Sequence, residues 1–315
     1  MNLNERAKYI TDALIDLADD LKIGTSVSHV GTSLIDLGIS VTGGLEAGRL
    51  LAEACLAGLA HVSYVPSPEL FPTTTAIQIE TDHPVQACMA SQYAGWQLAT
   101  EDYFGMGSGP MRAAAGKEKL FTDIGFTERT THAVGIIESG KTPSESVCKL
   151  IADACGVTPN NLTLAYAPTA SLAGTVQVVA RSLETALHKM HELGFDLARV
   201  ESGTGLAPLP PVASDDLAGI GRTNDAILYG GEVSIWVTGD DESINAIGNK
   251  IPSRASNDYG KPFIEIFREY DHDFYKIDPN LFSPAVINIV NLETGSYFRF
   301  GNFNPRILEQ SFGLS

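Results

Sequence analysis

The chain has 315 residues, 44% of them hydrophobic, enough to enclose a core and to divide into two sub-domains. A formal net charge of −17 repels a phosphate backbone, which argues against nucleic acid as a partner. No apolar run approaches the roughly 20 residues that span a bilayer, and the charged, amphipathic start from Met1 to Leu14 lacks the apolar core of a secretory signal, so no membrane partner is expected.

Residues 4–21 read as a helix, and Ser33 to Ser40 as a strand that Gly43 and Gly44 break. Glu46 to Leu59 is rich in Ala and Leu and reads as a helix, Ala76 to Glu80 as a short strand, and Val85 to Tyr93 as a buried helix. The loop Thr81-Asp-His-Pro84 sets the Asp82 carboxylate beside the His83 imidazole. It offers either a polar pocket or a hydrogen-bonded structural histidine; the other histidines form no ligand set with it. Gly105-Met-Gly-Ser-Gly-Pro110 reads as a glycine-rich turn. The backbone N–H groups of Gly107, Ser108 and Gly109 in such a turn can hold an anion or a flat polar ring, and the glycines serve equally a tight bend at positive φ. The spacing is not the dinucleotide fingerprint.

Ala133 to Glu138 reads as an apolar strand, Ser144 to Cys155 as a helix started by Thr142-Pro143, and Leu162 to Ala167 as a second strand. Cys55, Cys88, Cys148 and Cys155 form no CxxC pair and read as reduced thiols of a cytoplasmic protein. Ala167-Pro-Thr-Ala-Ser-Leu-Ala-Gly-Thr175 opens the next helix. Its small and hydroxylated residues, Thr169 and Ser171 among them, let a ligand approach the backbone; the alternative duty is N-capping by Ser171 or Thr175.

From Gly174 to Leu193 the apolar positions Val176, Val179, Leu183, Leu187 and Met190 mark an amphipathic helix. At about 100° per residue, Gln177, Arg181, Glu184, His188 and His191 share its other face. Arg181 and Glu184 are one turn apart, and the pair has two readings. It is a surface ion pair worth a few tenths of a kcal/mol, or a base kept ionised by a fixed cation and aimed at a water. His188 and His191 have a chelating spacing, but imidazoles near a helix C-terminus also suit the dipole, and no metal site is assigned.

Arg199-Val200 and Ala226 to Val237 read as strands, the latter interrupted at Gly230-Gly231. The order β-α-β-α-β-β over the middle of the chain implies a two-layer sandwich. Ala285 to Phe300 reads as a hairpin turning at Glu293-Thr-Gly295, returning to the N-terminal sheet. The expected fold is therefore α+β, with two α/β sub-domains flanking a cleft: residues 1–125 completed by 252–315, and residues 126–251.

Seven segments taken together are distinctive: Thr81-Asp-His-Pro84, Ala94-Gly-Trp-Gln97, Tyr103 to Pro110, Ala167-Pro-Thr-Ala-Ser171, Gly221-Arg-Thr-Asn-Asp-Ala226, Asp258-Tyr-Gly-Lys-Pro-Phe263 and Asp273-Phe-Tyr-Lys-Ile-Asp-Pro279. In order and spacing they resemble the signature blocks of the methenyltetrahydromethanopterin cyclohydrolase family, from about residue 30 onward. The resemblance implies reversible hydrolysis of 5,10-methenyl-tetrahydromethanopterin to the N5-formyl compound in one-carbon metabolism. It also implies a cytoplasmic homo-oligomer, with trimers known in the family, and no metal or redox cofactor. The family's catalytic Glu and its partner Arg are matched by Arg181-Ser-Leu-Glu184-Thr-Ala. Asp82, His83, Gly107, Ser108, Gly109, Thr169 and Ser171 fall in blocks expected to touch the pterin. The chain departs from the pattern at Gly105, where many members carry Ala, and over 111–132.

Two other functions compete. A methylene-pterin dehydrogenase needs a hydride acceptor, for which no dinucleotide fingerprint is present. A catalytically silent pterin-binding protein needs the glycine turn but not both Arg181 and Glu184.

Overall fold

The computed structural model describes residues 1–314. Its strands are β1 (Gly24–Val27), β2 (Ser33–Asp36), β3 (His61–Pro66), β4 (Thr75–Thr81), β5 (Trp96–Ala99), β6 (Phe104–Ser108), β7 (Ala133–Glu138), β8 (Leu162–Ala167), β9 (Val200–Pro208), β10 (Glu232–Val237), β11 (Val286–Asn291) and β12 (Tyr297–Gly301). They form two six-stranded mixed sheets, in the orders β1-β2-β8-β7-β6-β5 and β12-β11-β10-β9-β4-β3. The fold is mixed α+β, and the chain divides into two compact units: Met1–His61 with Gln86–Gln177, and Val62–Val85 with Val178–Ser315.

The first unit carries helices α1 (Leu3–Asp16), α2 (Ala18–Leu21), α3 (Leu45–Cys55), α4 (Met111–Ala115), α5 (Lys119–Asp123), α6 (Glu145–Cys155) and α7 (Leu172–Val179, ending past the unit boundary). Strands β2, β8 and β7 run parallel. They read as continuous apolar runs because both faces of the sheet are covered. Leu34, Leu164 and Ile137 pack into one cluster with Met111, Val147 and Ile151. Their neighbours Ile35, Ala165 and Ile136 pack into another with Leu14, Leu51 and Cys55. Ser144, read as the first residue of α6, is instead its N-cap, accepting from Val147 N.

The second unit carries α8 (Ser182–Glu192), α9 (Asp216–Gly230), α10 (Asp241–Gly248), α11 (Phe263–Glu269) and α12 (Pro305–Phe312). In β10 the buried Val233, Ile235 and Val237 alternate with the partly exposed Glu232, Ser234 and Trp236, the pattern of a sheet packed on one face. Strands β10 and β11 pair in parallel, while β4–β9, β9–β10 and β11–β12 pair antiparallel. Among the described residues no helix is long and apolar enough to cross a membrane.

Four expectations need correction. The C-terminal hairpin joins β10, with Glu232 opposite Val286, rather than the N-terminal sheet. Thr75–Thr81 joins β9, so residues 62–85 leave the first third of the chain. The units are therefore not 1–125 with 252–315 and 126–251, and the middle third is shared between two sheets instead of forming one two-layer sandwich. Ala226 to Gly230 is the end of helix α9, and only Glu232–Val237 is strand. Gly230 marks the junction because Pro208 and Leu308 pack against it, at 2.7 and 3.0 Å from where a Cβ would stand.

Candidate active site

The single long helix expected over 174–193 is two helices. α7 ends at Val179, and Arg181 is the N-cap residue of α8, with φ −94° and ψ 5°. Arg181 therefore stands at the start of α8 and Glu184 in its first turn, where a helix N-terminus favours a carboxylate. The polar face is not a solvated one. Glu184 is 5% exposed and Arg181 7%, and Gln177 is buried as well. The Arg181 Nη1 to Glu184 Oε2 distance is 3.8 Å, close enough for strong attraction and longer than a hydrogen bond between those two atoms.

That burial removes the surface-pair reading. Taking two charges out of water costs several kcal/mol per ion, so a buried pair is poor evidence of a stabilising role and invites a functional one. The pair is seated by two glycines of β9. A Cβ on Gly203 would stand 2.8 Å from Leu183 Cδ1, and one on Gly205 would stand 3.0 Å from Leu183 N. The first turn of α8 thus lies directly on bare strand backbone.

The remaining candidates fall into separate places. Asp82 follows β4, is exposed, and accepts a hydrogen bond from Ser202 Oγ at 2.7 Å. Ser202 alternates with Gly203 along β9, so Asp82 is fastened on the sheet face opposite α8 and not beside the pair. His83 is exposed, and its backbone N–H bonds Thr81 Oγ1 at 2.9 Å. His188 Nε2 and His191 Nδ1 lie 3.9 and 3.6 Å from the same Glu192 carboxylate oxygen.

In the first unit, Gly105 and Gly107 belong to strand β6 rather than to a turn. A Cβ on Gly107 would meet Met111 Cε at 2.8 Å, so this glycine answers a close approach. Gly109 takes φ +84° and makes the bend after the strand. Ser108 is buried and donates to Ile136 O at 3.2 Å. Ser171 donates to Pro168 O at 2.8 Å and accepts from Gly174 N at 3.0 Å, which is the N-cap duty.

Thr169 is buried at the carboxyl end of β8, where its hydroxyl donates to Glu138 Oε1 at the end of parallel strand β7. Next to them, at the end of β2, Asp36 accepts from the backbone N–H of Gly38, Ile39 and Ser40 at 2.9, 2.7 and 2.8 Å. Burial opposes its ionisation, but these bonds and the Ser40 hydroxyl outweigh burial and hold its pKa below the usual range. Glu138 and Asp36 were missed in the sequence because each ends an apolar strand and looks like a strand terminator. The signal available was position alone: both close parallel strands, the end at which α/β sheets present polar groups.

The buried helix of residues 85–93 is present, but wound as a π-helix over Val85–Gln92, with Tyr93 N bonded to Cys88 O at 2.8 Å. Arg112, fully buried, donates to the carbonyls of Met89 and Ser91, both at 3.1 Å, and to Glu118 through Nε and Nη2 at 2.8 and 2.5 Å. The four cysteines are all buried thiols.

A family model described as "Cyclohydrolase (MCH)" matches residues 2–312. The chain is 48% identical over 289 residues to the methenyltetrahydromethanopterin cyclohydrolase of Rhodopirellula baltica, covering 90% of this chain and 87% of the relative. It is 46% identical over 314 residues to the protein of that name from Methylobacillus flagellatus, covering 100% and 96%. To the one from Methanococcoides burtonii it is 44% identical over 316 aligned residues, covering 100% and 99%. With a buried Arg–Glu pair at the head of α8 and full-length similarity of this order, the chain belongs to the methenyltetrahydromethanopterin cyclohydrolase family.

Proposed function

We propose that this protein catalyses the reversible hydrolysis of 5,10-methenyl-tetrahydromethanopterin to N5-formyl-tetrahydromethanopterin, with Glu184 as general base and Arg181 as its electrostatic partner. The observation that carries the assignment of roles is the burial of both charged groups at the start of α8.

The substrate is an amidinium whose bridging carbon shares a positive charge with two nitrogens. Such a carbon needs a correctly placed water and a site for that water's proton. Glu184 takes the proton as the oxygen–carbon bond forms, and Arg181 favours the ionised carboxylate and steadies the developing charge on oxygen. The hydroxylated tetrahedral intermediate then loses its hydroxyl proton as the C=O bond forms and the bond to N10 breaks. Glu184 returns its proton to N10, and the formyl group stays on N5, so one proton reaches solvent per water consumed. The one-carbon unit keeps its oxidation level, so no hydride acceptor is required, and the cationic carbon needs no metal to polarise it.

On the family resemblance, we further propose that the enzyme works in the cytoplasm as a homo-oligomer. The same resemblance favours Gly107, Ser108, Gly109, Thr169 and Ser171 as pterin contacts through their backbone. Asp82 and His83 are the weaker members of that set, since Asp82 is engaged by Ser202 on the far face of the sheet.

The test is direct. Purified protein in the presence of a chelator, with no added cofactor, is mixed with the methenyl substrate and the loss of its ultraviolet absorbance is followed. Rapid decay to the formyl compound is expected; dependence on an added hydride donor such as a reduced nicotinamide, which would take the methenyl carbon to methylene, would instead make the protein a dehydrogenase.

A further inference from the structure

We propose that Lys189 is a positioning residue: its buried ammonium, gripped by Asn280, sets the rotation of α8 about its own axis and so the aim of the Glu184 carboxylate. The inference rests on Glu184 acting as the base.

Lys189 is 2% exposed on α8. A lysine in that setting loses hydration, and burial lowers its pKa against the pull of Asp278 and Glu192. An apolar residue of similar volume is often neutral or stabilising at such a position, so stability is a weak reason for the ammonium. Among the described residues its hydrogen bonds go to one residue: Nζ donates to Asn280 O at 3.3 Å and to Asn280 Oδ1.

Asn280 is a fixed post. Its backbone N and side-chain Nδ2 donate to Asp278 Oδ1 at 3.0 and 2.9 Å. Asp278 Oδ2 accepts from Ser256 Oγ at 2.7 Å and from Asn257 N at 3.2 Å. The Asp278 backbone N–H bonds Asp258 Oδ2 at 2.9 Å, and Asp258 Oδ1 accepts from the Tyr270 hydroxyl at 3.0 Å. The segments around 258 and 273–279, distinctive in the sequence, thus converge on one scaffold that holds the lysine.

Lys189 lies five residues beyond Glu184, about 140° around the helix at 100° per residue. The two side chains leave the helix in different directions, so the coupling runs through the helix as a rigid body. The β9 glycines set the height of its first turn, and Lys189 fixes its rotation. A glutamate carboxylate extends roughly 6 Å from the axis of a helix whose Cα radius is about 2.3 Å, so a turn of about 10° moves it by about 1 Å. A displacement of about 1 Å is enough to cost about 10²-fold in rate.

The experiment compares Lys189→Met, Asn280→Ala, the double variant and Glu184→Gln, measuring kcat, KM, Tm and the Kd of tetrahydromethanopterin lacking the one-carbon unit. Lys189→Met is expected to lower kcat about 10–100-fold, with KM and Kd changed less than about threefold and Tm held or raised. Asn280→Ala, at an exposed residue that folding tolerates, moves kcat the same way by less. The double variant is no slower than Lys189→Met alone, because both remove one contact. Wild-type kcat in Lys189→Met, or in Asn280→Ala should Lys189→Met fail to fold, overturns the proposal, as does a loss of kcat that tracks Kd or the folded fraction. Near-normal turnover in Glu184→Gln instead overturns the assignment of the base, which separates the two failures.

Discussion

Among the described residues two buried arginines pair with a glutamate, and the pairs differ in geometry. Arg112 grips Glu118 through two hydrogen bonds of 2.8 and 2.5 Å and also holds the carbonyls of Met89 and Ser91. Arg181 and Glu184 are both buried, whereas Glu118 is partly exposed, yet the nearest charged atoms of Arg181 and Glu184 are 3.8 Å apart. The first arrangement uses the planar fork of the guanidinium fully, as a clamp on a π-helix end does. The second keeps two charges together without fork-to-fork bonding, which suits the general base proposed for Glu184. Distance, more than residue type, separates the clamp from the pair proposed to act in catalysis.

That contrast is open to attack in four ways. Glu184→Gln is expected to lower kcat by about 10²–10⁴-fold with the fold intact, read from absorbance loss and a thermal melt. Arg181→Ala is expected to cost about 10²–10³-fold, the range seen when one stabilising donor is removed; wild-type rates would return the pair to a structural role. Arg112→Met is expected to destabilise the protein by about 3–5 kcal/mol in urea unfolding, since Glu118 is left without its cation, while turnover per folded molecule changes far less than in Glu184→Gln. A reversed pattern would exchange the roles of the two pairs.

The fourth test concerns a buried acid hydrogen-bonded by a backbone amide. Asp225 is fully buried, bonds Phe263 N at 2.9 Å, and is pushed by burial up to about 8. Its folded pKa lies above the unfolded value, so its contribution to stability is whole below about pH 4 and is lost as pH rises through about 8. Asp225→Asn should therefore gain Tm relative to the wild type as pH climbs from 4 to 8. A constant Tm difference would show that Asp225 is already ionised in the fold, and that a buried carboxylate here needs no guanidinium to hold its charge.

Much of the first sheet was readable from the chain. Ala133–Glu138 and Leu162–Ala167 are mostly apolar because both of their faces are covered, and Thr142-Pro143 announces α6. Strand β6 was not readable: its glycines at 105 and 107 mimic a turn, whereas they yield space to Tyr103 and Met111. Helix α9 was hidden by Gly219, Gly221 and the apolar run before Gly230. The Arg181–Glu184 spacing was visible, but not the break at Ala180–Arg181 nor the burial of the polar face, because both depend on what packs against α8. The division into units was invisible for a similar reason: it turns on β4 and β11 choosing partners far away in the chain.

Gly205 carries no functional group, yet its amide plane is the floor on which the head of α8 stands. A flexible leucine side chain can swing aside from an added methyl at position 203, but a backbone nitrogen 3.0 Å from a methyl at 205 cannot. Alanine there meets Ser182 Oγ and Leu183 N, so it is expected to displace the entrance of α8 and, on the role proposed for Glu184, to lower turnover in a protein that still folds. Genetic lesions that abolish this activity are thus to be sought as much along Val200–Pro208 as among the acids and bases.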